Sequence, residues 1–248
     1  MKCLILVAGY ATRMYALSEE CPKPLLTVKG KSILDWLLED LRTSDQIDEF
    51  LLISNHKFIS FFRDWVERQT IPIRLVDNGT CTNETRLGAV RDIQFAVDAA
   101  GIDDDLLVVA GDHLLDFSLT RFIDFTQEKQ TSCIMHCYEP DRRCLSRSGV
   151  CEIGEDDRLL GMEEKPAEPK THWCALPFYF YTAEDVRKIK TAIEQGCGVD
   201  APGSLAAWMC EHSVVHSMLL PGKRYDIGDL ESYEKVQKEY PGILDPQE

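Results

Sequence analysis

Leu4-Ile5-Leu6-Val7-Ala8-Gly9-Tyr10-Ala11-Thr12-Arg13-Met14, followed after six residues by Cys21-Pro22-Lys23-Pro24-Leu25, opens the chain with an apolar run of strand length that stops at Ala8-Gly9. The polar turn that follows carries Thr12 and Arg13. A strand ending in small residues lets backbone N–H groups approach a ligand closely, and such nests attract phosphate oxygens. Arg13 adds a forked cation suited to phosphate, and Lys23 a compact point charge. Pro22 and Pro24 restrict the backbone on both sides of Lys23, so its charge is presented from a stiff segment. The stretch reads as an anion-holding strand and turn, against the plainer alternative of a turn with two solvated cations.

Composition limits what the anion is. The 248 residues, 44% of them hydrophobic, suffice for a full core at the upper end of one α/β domain. A single domain over residues 1–248 is expected, with a smaller lobe. The formal charge of −15 argues against a general nucleic-acid or membrane-surface binder, because both need a broad positive field. Residues 1–31 run the other way, with Lys2, Arg13, Lys23, Lys29 and Lys31 against Glu19 and Glu20. Positive charge is therefore local, which suits a small phosphorylated ligand. The ten cysteines include no Cys-x-x-Cys pair, and reduced, mostly buried thiols are expected. Cys133, His136 and Cys137 lie in a segment that reads as a strand, which weighs against a metal site there. The N-terminal apolar run is too short for a signal peptide and no stretch is long enough to span a bilayer, so the cytoplasm is the expected location. The sequons at Asn78-Gly79-Thr80 and Asn83-Glu84-Thr85 then read as accidental.

Along the chain, Ser32 is placed to cap a helix whose apolar positions Ile33, Leu34, Leu37, Leu38 and Leu41 fall at helical spacing. Gly30-Lys31-Ser32 mimics the end of a Walker A loop, but Leu25 stands where that loop needs glycine. Phe50 to Ser54 reads as a buried strand, and Phe58, Phe61, Phe62, Trp65 and Val66 recur at helical intervals as core. Ile71 to Val76 is a strand, Asp77 to Thr85 a polar loop, and a helix begins near Leu87. Such alternation predicts an α/β fold with a mixed, mostly parallel central sheet covered on both faces. Leu106 to Ala110 ends in Gly111-Asp112. Ligands in open α/β sheets lie beyond the carboxyl ends of strands, so Asp112 is expected to share the crevice of the opening loop, where a carboxylate among phosphates suits Mg2+. Strands are expected at Ser132 to Tyr138, Gly149 to Ile153, Arg158 to Met162, Leu176 to Tyr181 and Val214 to Leu220. Helices are expected over Ala183 to Glu194, over Ser204 to Cys210 and after Asp229.

The ordered set Ala8-Gly9-x-x-Thr12-Arg13, Pro22-Lys23-Pro24-Leu25, Gly111-Asp112, Glu164-Lys165-Pro166 and Tyr225-Asp226-Ile227-Gly228 resembles the sugar-phosphate nucleotidyltransferases, the family of glucose-1-phosphate thymidylyltransferase. The resemblance runs from Leu4 to about Tyr233. It implies a three-layer α/β/α Rossmann-like fold and the transfer of a nucleoside monophosphate from a nucleoside triphosphate to a sugar 1-phosphate, with release of pyrophosphate. It further implies that Ala8, Gly9, Tyr10, Ala11, Thr12 and Arg13 cradle the nucleotide, with Arg13 on the triphosphate and Lys23 on the reacting phosphates. Asp112 and Asp226 would bind Mg2+. Lys165 would hold the second substrate's phosphate, Glu164 its sugar, and Gly149 would line the same acceptor pocket, in a lobe of roughly residues 139–225. Thr85 to Val90 would form the base-side loop, with Gly88 allowing close approach.

Three residues depart from the pattern. Ala11 stands where the family usually has glycine, Ser148 where hexose-specific members often have tyrosine, and Pro177 where many have glycine. Tyr10 is expected to cover the base or sugar. The altered acceptor pocket leaves open a cytidylyltransferase acting on phosphocholine or another small phosphorylated alcohol. A regulatory subunit that binds nucleotide sugars without turnover is the reading from a different class, and Lys23, Asp112, Lys165 and Asp226 all being present speaks against it. Expected partners are the two small-molecule substrates, with neither nucleic acid nor membrane, and a homo-oligomer is compatible with the pattern.

Overall fold

A computed structural model describes residues 1–10 and 21–244. In chain order the elements are β1 (Lys2–Leu6), β2 (Thr27–Val28), β3 (Lys31–Ser32), α1 (Ile33–Leu41), β4 (Glu49–Ser54), α2 (Ile59–Glu67), β5 (Ile73–Asp77), α3 (Ala89–Ala100), β6 (Leu106–Ala110) and β7 (His113–Leu115). They continue with α4 (Thr120–Lys129), β8 (Ser132–Tyr138), α5 (Arg142–Leu145), β9 (Gly149–Ile153), β10 (Leu159–Glu164), β11 (Trp173–Tyr181), α6 (Ala183–Glu194), α7 (Gly203–His212), β12 (Val215–Leu219), β13 (Arg224–Asp226) and α8 (Leu230–Glu239). The fold is α/β with a mixed sheet, as expected. The chain divides into two compact units, the first made of Ile5–Arg86, Ala110–Ile123 and Pro221–Glu248, the second of Met1–Leu4, Leu87–Val109 and Asp124–Leu220. Among the described residues no helix is long and apolar enough to cross a membrane.

In the first unit, β4 and β5 pair in parallel from Phe50 opposite Ile73 to Ser54 opposite Asp77. The end of β1 lies on the other side of β4. Ser32 caps α1 as expected, and Asp35 completes a reciprocal capping box. The five apolar positions of that helix are all buried. Phe58, Phe62 and Trp65 are buried too, but Phe61 is 36% exposed, because four aromatics at this spacing exceed the width of one buried helix face. The antiparallel ribbon of β7 and β13 was not expected, since three-residue strands are too short to show periodicity.

In the second unit, β11 runs antiparallel to β6, β8 and β9, while β12 joins β8 in parallel. Pro177 sits where the β11–β8 register shifts between Leu176 and Tyr179, so the residue that cannot donate to a ladder falls in the irregularity. The β9–β10 hairpin turns through Asp156 and Asp157, both at positive φ. Only four of the ten cysteines are fully buried, and Cys81 and Cys144 are exposed. Thus the expectation of mostly buried thiols holds only in part.

Asp185, buried in the first turn of α6, ties three segments together. Its carboxylate accepts hydrogen bonds from the hydroxyls of Ser132 and Ser213 and pairs with Lys188 at 2.9 Å. Removing it leaves the buried Ser132 hydroxyl and the half-buried Ser213 hydroxyl without this acceptor, while Lys188 keeps Glu184 at 2.9 Å. Asp185→Ala is expected to lower the unfolding free energy by about 2–4 kcal/mol in urea denaturation; a loss near zero would assign the network no structural weight.

Candidate active site

In the first unit three chain segments converge through local backbone geometry. At the end of β6, a Cβ on Gly111 would lie 2.6 Å from Val7 Cγ1 and 3.1 Å from Ile5 Cγ2. Its absence lets the strand end pass against β1, where the Gly111 N–H donates to Leu6 O at 3.0 Å. Asp112 follows directly. Lys23 begins a short 3-10 turn that Pro22 precedes and the buried Pro24 continues, so the prolines stiffen its backbone as expected. β13 then pairs with β7 so that Asp226 stands opposite His113.

The charges interlock. Lys23 Nζ lies 2.8 Å from Asp112 Oδ2 and 3.4 Å from Asp226 Oδ1, while His113 Nδ1 is 2.7 Å from Asp112 Oδ1. Burial works to raise the Asp112 carboxyl, but His113 and Lys23 outweigh it and hold it well below the usual carboxylate range. For Asp226 burial again opposes ionisation, and Lys23, His113 and Arg224 again lower its pKa despite the neighbouring Asp112. Both carboxylates are therefore acceptor-only at neutral pH. Leu6, Val7, Gly9, Lys23, Pro24 and Asp112 line a cavity of about 150 Å³. Among the described residues no three acidic, histidine or cysteine side chains form a ready metal centre. Two hard oxygen donors converging on one ammonium fit a divalent cation that takes its other ligands from phosphate and water.

The second unit gathers the other expected group. Glu164 ends β10 opposite Gly149 in β9. A Cβ on Gly149 would meet Glu164 Oε2 at 3.0 Å, and one on Gly203, in the first turn of α7, would meet it at 2.1 Å. Two missing side chains thus make the room this carboxylate occupies. Burial pushes the Glu164 carboxyl up, and Lys165 only partly offsets it. Lys165 itself has φ +50°, a strained conformation for a non-glycine residue and more so before Pro166. Its N–H donates to Ser148 O at 3.0 Å, and its side chain is exposed.

Other expected residues sit differently. Tyr10 is buried in the first unit, where its hydroxyl donates to Thr80 Oγ1 at 2.9 Å. Gly88 has φ +89°, and a Cβ there would lie 2.4 Å from Val199 O. The close approach it allows is that of residues 199–200, whose carbonyls accept the N–H groups of Val90 and Ala89 at 3.0 and 3.2 Å. Thr85 uses its hydroxyl locally, donating to Thr82 O at 3.1 Å. Ala8 is held by Asn55, whose Nδ2 donates to Ala8 O at 3.0 Å. Ala11, Thr12 and Arg13 lie outside the described residues. His113, Asn55 and Gly203 were missed. Asn55 follows β4 as Gly111-Asp112 follows β6, so the strand-end rule that found Asp112 applies to it equally.

Glu164 yields a pH prediction. Its folded-state pKa lies above the unfolded value of about 4.3, so the ionised form costs stability above the folded pKa, and that cost disappears below the unfolded one. Glu164→Gln is expected to raise the melting temperature by on the order of 1–3 °C at pH 7 and to leave it unchanged at pH 4. Equal shifts at both pH values would rule out ionisation as the cause.

Residues 2–242 match the nucleotidyl transferase family profile. The UTP–glucose-1-phosphate uridylyltransferase of Synechocystis sp. is 27% identical over 216 residues, which cover 81% of this chain and 54% of that protein. The glucose-1-phosphate thymidylyltransferase of Streptomyces antibioticus is 24% identical over 267 residues, covering 99% of this chain and 68% of the relative. The crystal structure of a UDP-glucose pyrophosphorylase complexed with UDP-glucose aligns with a TM-score of 0.79 at 19% identity, over 96% of this chain and 97% of that one, a likeness of fold alone. The chain spans about half the length, or less, of several curated relatives it matches. With the profile matched almost from end to end, the chain belongs to the nucleotidyl transferase family.

Proposed function

We propose that this chain transfers a nucleoside monophosphate from a nucleoside triphosphate to a sugar 1-phosphate, forming a nucleotide sugar and pyrophosphate. The observation that carries the reading is the Lys23 ammonium between the Asp112 and Asp226 carboxylates. The names of the relatives point to the same substrate classes.

In the step itself, a phosphate oxygen of the sugar 1-phosphate attacks the α-phosphorus. One P–O bond forms, the bond to the bridging oxygen between the α- and β-phosphates breaks, and pyrophosphate carries the electron pair away. The acceptor is already an anion, so no protein nucleophile is required. The obstacle is bringing two anions together, which cations and alignment overcome. The backbone at Ala8 and Gly9 lies against the nucleotide phosphates, with Asn55 fixing the Ala8 carbonyl, and Arg13 and Lys23 supply positive charge. Asp112 and Asp226 would hold Mg2+, which would neutralise charge on the phosphates. Gly149, Glu164 and Lys165 receive the acceptor within residues 139–225, Lys165 at its phosphate and Glu164 at its hydroxyls.

The test is pyrophosphate release across five nucleoside triphosphates and a panel of sugar 1-phosphates that also contains phosphocholine. Turnover with a sugar 1-phosphate is expected. Turnover with phosphocholine alone, or nucleotide binding without any turnover, would replace the proposal. Lys23→Ala and Asp226→Asn are each expected to lower kcat by roughly 100-fold or more in a protein that melts normally. Near-normal rates in either would remove the assigned roles.

A further inference from the structure

Asp226 reaches Asp112 through the least self-sufficient part of the first unit. β13 has three residues and pairs with β7 through three positions, Arg224 with Leu115, Tyr225 with Leu114 and Asp226 with His113. A two-stranded ribbon of that length does not hold itself together in water, and a slip of one residue would turn Asp226 to the opposite face. Its register therefore depends on an anchor outside the ladder.

Asp116, the residue after β7, is that anchor. It is 8% exposed. Its Oδ1 accepts the Lys223 N–H at 2.7 Å and its Oδ2 the Tyr225 hydroxyl at 3.4 Å. Its own N–H donates to Lys223 O at 3.2 Å, and its carbonyl accepts the Leu244 N–H at 2.8 Å. Gly222 closes the arrangement, since a Cβ there would lie 2.4 Å from Asp116 Oδ1 and 2.8 Å from Phe117 Cδ1. One carboxylate thus grips β13 through the residue preceding the strand and again through its middle side chain, while the glycine before them lets the backbone close on it.

We propose that Asp116 is a positioning residue whose carboxylate sets the register of β13 and so supplies Asp226 as the second carboxylate of the cation pair. The inference rests on the reading that Asp112 and Asp226 hold a divalent cation. Asp116 touches neither carboxylate in any contact described above, so its effect passes through the ribbon.

The experiment uses the full chain as wild type, Asp116→Ala, Asp116→Asn and Gly222→Ala, with three readouts. These are hydrogen exchange of residues 223–228, Mn2+ affinity by electron paramagnetic resonance without nucleotide, and melting temperature. In Asp116→Ala and Gly222→Ala, exchange over 223–228 is expected to speed up at least about tenfold and Mn2+ affinity to fall about 5- to 50-fold, while β4 and β5 keep their protection. Asp116→Asn keeps an oxygen acceptor for the Lys223 N–H and is expected to stay within about threefold of wild type in both. Unchanged exchange over 223–228 in a folded Asp116→Ala overturns the proposal, as does protection lost evenly across β4, β5 and β13. Should Asp116→Ala fail to fold, wild-type exchange in Gly222→Ala overturns it. A wild-type protein that binds no Mn2+ defeats the cation reading, while the exchange data still judge the role of Asp116 in register.

Discussion

A single ammonium group between two carboxylates organises the first unit. Lys23 Nζ meets Asp112 Oδ2 at 2.8 Å and Asp226 Oδ1 at 3.4 Å, and without it the half-buried Asp112 and the exposed Asp226 would face each other as two anions. Each of the three groups comes from a different stretch of chain, and each is delivered by a local device. Lys23 has its flanking prolines, Asp112 a glycine that lets two strand ends touch, and Asp226 a short ribbon clamped from outside. The pull of the cations is strong enough that both carboxyls stay below the usual carboxylate range although burial opposes it.

The second unit solves a different problem, that of housing an acid where burial disfavours its charge. Glu164 Oε2 occupies space left by Gly149 and Gly203, and Lys165, turned into a left-handed conformation, relieves only part of the penalty. A carboxylate kept in such a place at a cost in stability is consistent with its serving a ligand. Val199 and Asp200 show the converse use of a glycine. There Gly88 admits the protein's own backbone, and the first amides of α3 are bonded to it.

What could be read from the sequence follows the length of the signal. The β6, β8 and β9 strands and the α6 helix carry enough residues for their periodicity to show, and they begin and end where expected. Ser32 and Asp229 were legible as caps because their side-chain chemistry is local. Asp112 was legible because strand ends in α/β sheets collect function. Three-residue β7 and β13 carried no period, so the ribbon that supplies Asp226, and Asp116 with it, stayed hidden. Pairings between distant residues stayed hidden too, since nothing near Gly203 in sequence says that Glu164 Oε2 lies beside it. The hydrogen bond of Tyr10 to Thr80 was hidden for the same reason, as the two stand 70 positions apart.

The first unit is assembled from Ile5–Arg86, Ala110–Ile123 and Pro221–Glu248, so Asp226 leaves the ribosome more than a hundred residues after Asp112. Lys23 and Asp112 are synthesised long before Asp226, and until β13 docks, Lys23 has one carboxylate in place of two. A chain released before Pro221 carries the opening loop and the whole β6 strand yet lacks the second carboxylate. Any fragment ending there therefore lacks one of the two carboxylates that Lys23 pairs with, and synthesis past Asp226 acts as a checkpoint on that charge cluster.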